Sequence, residues 1–156
     1  AVVVSVTKFH AGDAYNVIPE KAEIAGTVRT LKKEVARKAE ERIRAICAGL
    51  ASAFGATIEV DYDANYPVTF NHAEETVFAS DIAADVAGDI HVHRAIQPVM
   101  GGEDFSYMLE ARPGAFIFIG NGDSAGLHHP AYDFNDEVIP HGMSYWVRLA
   151  ETALAA

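Results

Sequence analysis

Ala22-Glu23-Ile24-Ala25-Gly26-Thr27-Val28-Arg29-Thr30 alternates apolar and polar side chains. It runs almost directly into a charged stretch in which Val35, Ala39, Ile43, Ile46, Leu50 and Phe54 recur at steps of three and four. A period of two predicts a strand, and steps of three and four predict a helix, here over residues 32–54 with Gly55 as a natural stop. Upstream, the valine-rich residues 2–9 predict another strand, separated from the first by the turn chemistry of residues 10–16 and the step Val17-Ile18-Pro19-Glu20. Consecutive strands with a moderate connection pair most simply as antiparallel neighbours. Residues 56–62 alternate again and predict a third strand. Strand, strand, helix, strand is most of a small α+β sandwich whose sheet is covered by helices on a single face.

Residues 65–71 break this pattern and predict a boundary, giving domains over 1–66 and 67–156. Beyond it, Val77, Phe78, Ile82 and Val86 mark a helix over 74–87, and residues 90–98 suggest a short strand. Gly101-Gly102 opens a loop, after which Asp104 or Ser106 would cap a short helix running to Leu109. Residues 115–119 read as a buried strand, residues 121–136 as a long polar loop, and residues 137–155 as a final helix. A loop of that length inside a compact domain is more often functional than idle.

At 156 residues, half of them hydrophobic, the chain is long enough to bury a core. A formal charge of -10 with no basic stripe argues against a nucleic-acid partner, and no apolar run approaches the ~20 residues of a membrane helix. The lone Cys47 excludes an internal disulfide and predicts a reducing, cytoplasmic setting. The start, Ala1-Val2-Val3-Val4-Ser5-Val6, has no initiator Met and no signal-peptide pattern. It reads as a strand already under way, so the chain is expected to begin inside a larger protein.

Among the histidines, His128 stands out because Gly126-Leu127 precede it, a second histidine and Pro130 follow, and the polar loop surrounds it. A ligand role and a structural role remain open for it on these grounds. His91 and His93 would share one face of the expected strand, as a surface pair lacking a third ligand. His72 and His141 receive no role. Asn16 and Arg29 would suit a carboxylate, the guanidinium bidentately, if the paired strands brought both to one sheet end. The alternatives are an Asn-stabilised turn and a surface arginine. No His-Glu-x-x-His, nucleophile elbow or phosphate loop is present.

Four stretches in order resemble one family: residues 9–20 (FHAGDAYNVIPE), Gly26-Thr27-Val28-Arg29-Thr30, Met100-Gly101-Gly102-Glu103-Asp104-Phe105, and Gly126-Leu127-His128-His129-Pro130 with Phe134-Asn135-Asp136-Glu137. Together they are similar to the M20 metallopeptidase clan, in particular its hippurate hydrolase and N-acyl-amino-acid amidohydrolase branch. The resemblance implies a mixed α/β (α+β) fold: a partial ferredoxin-like lid or dimerisation domain over 1–66, then the C-terminal part of a zinc-peptidase-like catalytic domain over 67–156. It implies metal-dependent hydrolysis of the amide bond of small N-acyl amino acids, two divalent ions (Zn, Mn, Co or Ni) and a homodimer through the lid. Carried over by position, His128 matches a metal ligand, Asn16 and Arg29 match residues that hold the substrate carboxylate, with Asn16 acting across the dimer interface, and Gly101 and Gly102 match the pocket lining. Glu103 and Asp104 fit the motif and are assigned structural roles. The remaining ligands and the catalytic base are expected outside this chain, which alone is expected to be inactive. The competing reading is a non-catalytic dimerisation or small-ligand module of the same α+β class.

Overall fold

The computed structural model describes residues 1–155 and pairs β1 (Val2–Ala11) with β2 (Ala22–Thr30) as an antiparallel two-stranded ribbon. Val3 stands opposite Arg29 at one end and Ala11 opposite Ala22 at the other. The register slips between Val6 and Lys8, so Thr7 is an extra residue and the ribbon carries a bulge. Gly26, opposite Val6, is required there because a methyl group would collide with the carbonyl oxygen of Ser5. Lys8 and Glu23 form an ion pair across the strands at 2.9 Å, and the ammonium holds the Glu23 carboxyl below its usual range.

The helix expected after β2 is α1, Lys33–Phe54, closed by Gly55 in the left-handed region at φ 62°. The pairs Arg37–Glu41 and Arg44–Glu40, four residues apart, lace its solvent side. Its cover comes from β1 and β2, and Val35, Ala39, Ile43, Cys47 and Ala51 are half-buried. The ribbon is too narrow for the rest of the apolar stripe, and Ile46, Leu50 and Phe54 remain exposed.

The expected third strand, residues 56–62, forms no ladder among the described residues. A strand needs a partner row of amides, and this segment finds a side chain instead: the Arg44 guanidinium donates to the Val60 carbonyl at 2.9 Å. The same correction applies to residues 90–98, where a 3-10 turn over Asp89–His91 gives way to unpaired chain. His91 and His93 therefore share no strand face. Residues 115–119 are likewise neither a strand nor buried: Phe118 is 60% and Ile119 53% exposed. A ladder-like pairing comes from Asn71, whose side chain donates to the Phe116 carbonyl (2.8 Å) and accepts from the Phe116 N–H (2.9 Å).

The chain divides into two compact units, Ala1–Val68 with Pro98–Tyr107, and Thr69–Gln97 with the chain from Met108 onward. The second unit contains α2 (Ala73–Ala87) and α4 (Ile139–Ala153), which pack on each other and are joined at the surface by Arg148 and Asp85 at 3.4 Å. Between them in sequence, α3 (Phe105–Ala111) contributes Leu109. Ala79, Ile82, Leu109 and Tyr145 form the buried core. On α4 the covered face is Val138, Gly142, Tyr145 and Leu149, at steps of four and three. The larger Met143, Trp146 and Val147 lie more than half exposed on another face. Among the described residues no helix is long and apolar enough to cross a membrane.

Candidate functional site

In the first unit, Arg29, singled out from sequence, and Tyr66, which was not, meet at Gly102. A methyl group placed on Gly102 would lie 2.6 Å from Nη1 of Arg29 and 3.4 Å from Cδ2 of Tyr66. The guanidinium and the aromatic ring thus meet over bare backbone, which only glycine leaves open. Gly101 faces open space. The loop then turns into α3, not through Asp104 or Ser106 as caps but through Glu103. The Glu103 carboxylate accepts from the Phe105 N–H (3.2 Å), and its carbonyl accepts from the fully buried Ser106 hydroxyl (2.6 Å). Glu103 therefore has a structural role.

The first turn of α3 brings Tyr107 back onto the segment after residue 62. Its hydroxyl donates to the Asn65 carbonyl (3.0 Å), with the Asn65 side-chain oxygen at 3.4 Å, and its ring meets Tyr66 edge-on at 6.1 Å and 67°. Asn65 and Tyr66 carried no functional signal in the sequence beyond marking a boundary. Their partners sit far away along the chain, and no local pattern announces such a contact.

Arg29 is half-buried and has no carboxylate partner among the described residues, although the chain carries 22 acidic side chains. Arg37, Arg44, Arg94 and Arg148 pair with Asp or Glu, and Arg42 and Arg112, which show no such pair among the described residues, are exposed. A guanidinium is always charged and is desolvated only at a cost.

Asn16 lies elsewhere. Arg29 is at the Val3 end of the ribbon, whereas Asn16 belongs to the loop beyond the Ala11–Ala22 end. Seven residues of β2 separate the ends, about 24 Å at an antiparallel rise of ~3.4 Å per residue. Gly12, at φ 73°, and Pro19 approach each other and close the loop neck, which leaves Asn16 at the tip beside the fully exposed Tyr15 and Ile18. The expectation that Asn16 and Arg29 face one ligand from one sheet end therefore fails within a single copy.

In the second unit, the polar loop over residues 121–135 is tied at its base by Asn121. Its amide oxygen accepts from the Asn135 N–H (2.7 Å), and its amide nitrogen donates to the Asp133 carbonyl (2.7 Å) and to Ser124 Oγ (2.8 Å). Asn135 then caps the 3-10 turn Asp136–Val138 by accepting from Glu137 N–H at 3.0 Å. His128 occupies the third position of the turn closed by the His129 N–H and the Gly126 carbonyl (3.1 Å), with φ 66°. It is the one non-glycine residue with positive φ among the described residues. That position usually takes Gly or Asn, and a branched ring there costs about 1–2 kcal/mol.

The two adjacent imidazoles are not equivalent. Nδ1 of His129 accepts from the Ala131 N–H at 3.0 Å, whereas the exposed His128 ring makes no hydrogen bond among the described residues. Strain retained to present a free imidazole fits a ligand better than a packing residue. Among the described residues, no three His, Cys, Asp or Glu side chains form a group suited to a metal ion, so His128 fits a metal as a single donor.

The family model described as Peptidase family M20/M25/M40 matches residues 3–152. The chain is 36% identical to the hippurate hydrolase of Campylobacter jejuni, over 95% of this chain and 39% of that protein. It is also 36% identical to the N-acetylcysteine deacetylase of Bacillus subtilis, over 97% of this chain and 39% of that protein. A crystal structure of a Bacillus subtilis dinuclear metal binding peptidase from the M20 family superimposes with a TM-score of 0.79 at 35% identity, covering 98% of this chain and 42% of that one. The chain thus spans about two fifths of the length of the relatives it matches.

Proposed function

The chain belongs to the M20/M25/M40 peptidase family, and from that premise we propose that it supplies the carboxylate grip and one metal ligand of an enzyme that hydrolyses the amide bond of N-acyl amino acids. The observation that carries this reading is the half-buried Arg29 guanidinium, without an internal anion, set against Gly102. Relatives named for hippurate hydrolysis and N-acetylcysteine deacetylation support the substrate class, since hippurate and N-acetylcysteine are both acylated amino acids with a free carboxylate.

In this reading Arg29 takes the substrate carboxylate bidentately, Gly102 leaves room for its guanidinium, and Gly101, which faces open space, lets the ligand approach the backbone. Holding that end fixes where the amide falls, which turns a chance encounter into a positioned one. His128 would hold a divalent ion through its unengaged ring; when bound, such an ion supplies polarisation of the scissile carbonyl and activation of water. Asn16 contributes from a second copy, because the ribbon keeps it from reaching Arg29 of its own chain. The exposed Tyr15 and Ile18 beside it give that tip an apolar surface to dock, consistent with a homodimer formed through residues 1–66. With His128 as its single proposed ligand, the chain alone is expected to be inactive.

Two measurements test this. Titrating the chain with N-benzoylglycine should give binding that disappears in Arg29→Met and with the methyl ester of the ligand. Equal affinity for acid and ester would refute the carboxylate grip. Incubating the chain with N-benzoylglycine and Mn or Zn should give no turnover, and turnover that survives His128→Ala would remove His128 from the metal site.

A further inference from the structure

Tyr66 lies on the same glycine as Arg29 and has no task in the reading above. Cδ2 of its ring lies 3.4 Å and Nη1 of Arg29 lies 2.6 Å from the Gly102 methyl position, so ring and guanidinium are close neighbours and a ligand held by the guanidinium is within reach of the ring. Half of the Tyr66 surface is open to solvent. The ring is nevertheless not loose. Tyr107 meets it edge-on, and Tyr107 is itself anchored through its hydroxyl to Asn65, the residue preceding Tyr66. The Tyr66 hydroxyl makes no hydrogen bond among the described residues, so its accessible chemistry is that of a braced aromatic face. In an amino acid the side chain leaves the carbon bonded to the carboxylate. A ligand whose carboxylate lies on Arg29 therefore carries its side chain close by, and the ring beside the guanidinium is apolar.

We infer that Tyr66 is a specificity-determining residue: its ring forms the wall against which the amino-acid side chain of an N-acyl amino acid packs, so that aromatic and bulky apolar side chains are preferred over glycine. This rests on the carboxylate grip of Arg29 and adds to it the identity of the side chain that the same site selects. A preorganised ring gives such a ligand contact without ordering cost. Aromatic pairing of ordinary quality corresponds to about a fivefold gain in affinity.

The experiment titrates the 156-residue chain with N-benzoyl-L-phenylalanine and N-benzoylglycine by ligand-observed NMR, the shared benzoyl group cancelling in the ratio. The wild-type chain should bind the phenylalanine compound about fivefold more tightly. Tyr66→Ala should bring the two affinities together while still binding N-benzoylglycine, which shows that the variant is folded, and Tyr66→Phe should keep the preference. A ratio unchanged in Tyr66→Ala, or already near one in the wild type, overturns the assignment of Tyr66 while leaving Arg29 untouched. Binding of both compounds that is indifferent to Arg29→Met overturns the carboxylate reading itself and the role of Tyr66 with it.

Discussion

Replacing Gly102 by alanine separates function from stability at a single atom. The new methyl group would stand 2.6 Å from Nη1 of Arg29, against an ordinary carbon–nitrogen contact of about 3.5 Å, so the guanidinium must withdraw by about 1 Å. Arginine can do this at the end of a flexible side chain for about 0.5–1.5 kcal/mol of rotamer strain. The alanine repays about 0.4–1 kcal/mol by stiffening the unfolded chain, since Gly102 does not use the left-handed region. Net stability should therefore change by less than about 1 kcal/mol. Carboxylate binding has no such offset. A charge-assisted pair is worth about 1.5–3 kcal/mol and depends on its geometry, so affinity for N-benzoylglycine should fall roughly 10- to 100-fold. The corresponding methyl ester should bind neither form. Urea unfolding and calorimetric titration of the same variant read both quantities. Affinity held within twofold, or a stability loss above about 2 kcal/mol, would refute the placement of Arg29 against this glycine.

Gly26→Ala is the opposite case, because the methyl meets backbone, with the Ser5 carbonyl carbon at 3.0 Å and the Val6 Cα at 3.1 Å. It should cost about 3 kcal/mol, read as a fall in the denaturant midpoint, and an unchanged midpoint would mean that the bulged register is wrong. His128→Gly relieves the left-handed strain and should leave stability unchanged or raise it by about 1 kcal/mol, while His128→Ala keeps the strain. Destabilisation by glycine would show that the ring packs rather than presents itself. Asn71→Leu removes both hydrogen bonds to Phe116 and should destabilise the second unit by about 1–3 kcal/mol, measurable as lost near-ultraviolet dichroism at lower denaturant. A silent substitution would show that residues 115–119 are held by other means.

The elements legible in the sequence were those whose periodicity is answered by a neighbour within the described chain. β1, β2 and α1 satisfy one another, and their alternations of two and of three or four survive into the structure. Residues 56–62 and 115–119 have the same strand chemistry, but a strand is a relation between two backbones and neither finds a second one here. Arg44 and Asn71 take over the pairing with side chains, which no periodicity encodes. On α4 the larger apolar residues misled, since the covered face is the one carrying Gly142 and Tyr145. For the site, Arg29, Gly102 and His128 were each visible as motif positions. Their physical distinction was not: Arg29 stands out for being half-buried without an anion, Gly102 for what lies above it, and His128 for a backbone angle. Tyr66 and Asn121 act through contacts remote in sequence and looked like boundary and loop residues.

The ribbon that parts Asn16 from Arg29 has a genetic consequence. In the proposed homodimer, a site shared between copies would be composed of the Arg29 end of one chain and the loop tip of the other, so defects at the two ends would belong to different sites. In a dimer of one Asn16→Ala chain and one Arg29→Met chain, one site collects both lesions and the other collects neither. Two inactive proteins, mixed and allowed to exchange subunits in the setting of a complete enzyme, should then recover carboxylate binding at half of the sites of each mixed dimer. Lesions confined to one end, such as Arg29→Met with Gly102→Ala, should never complement, since their mixed dimers leave every site damaged.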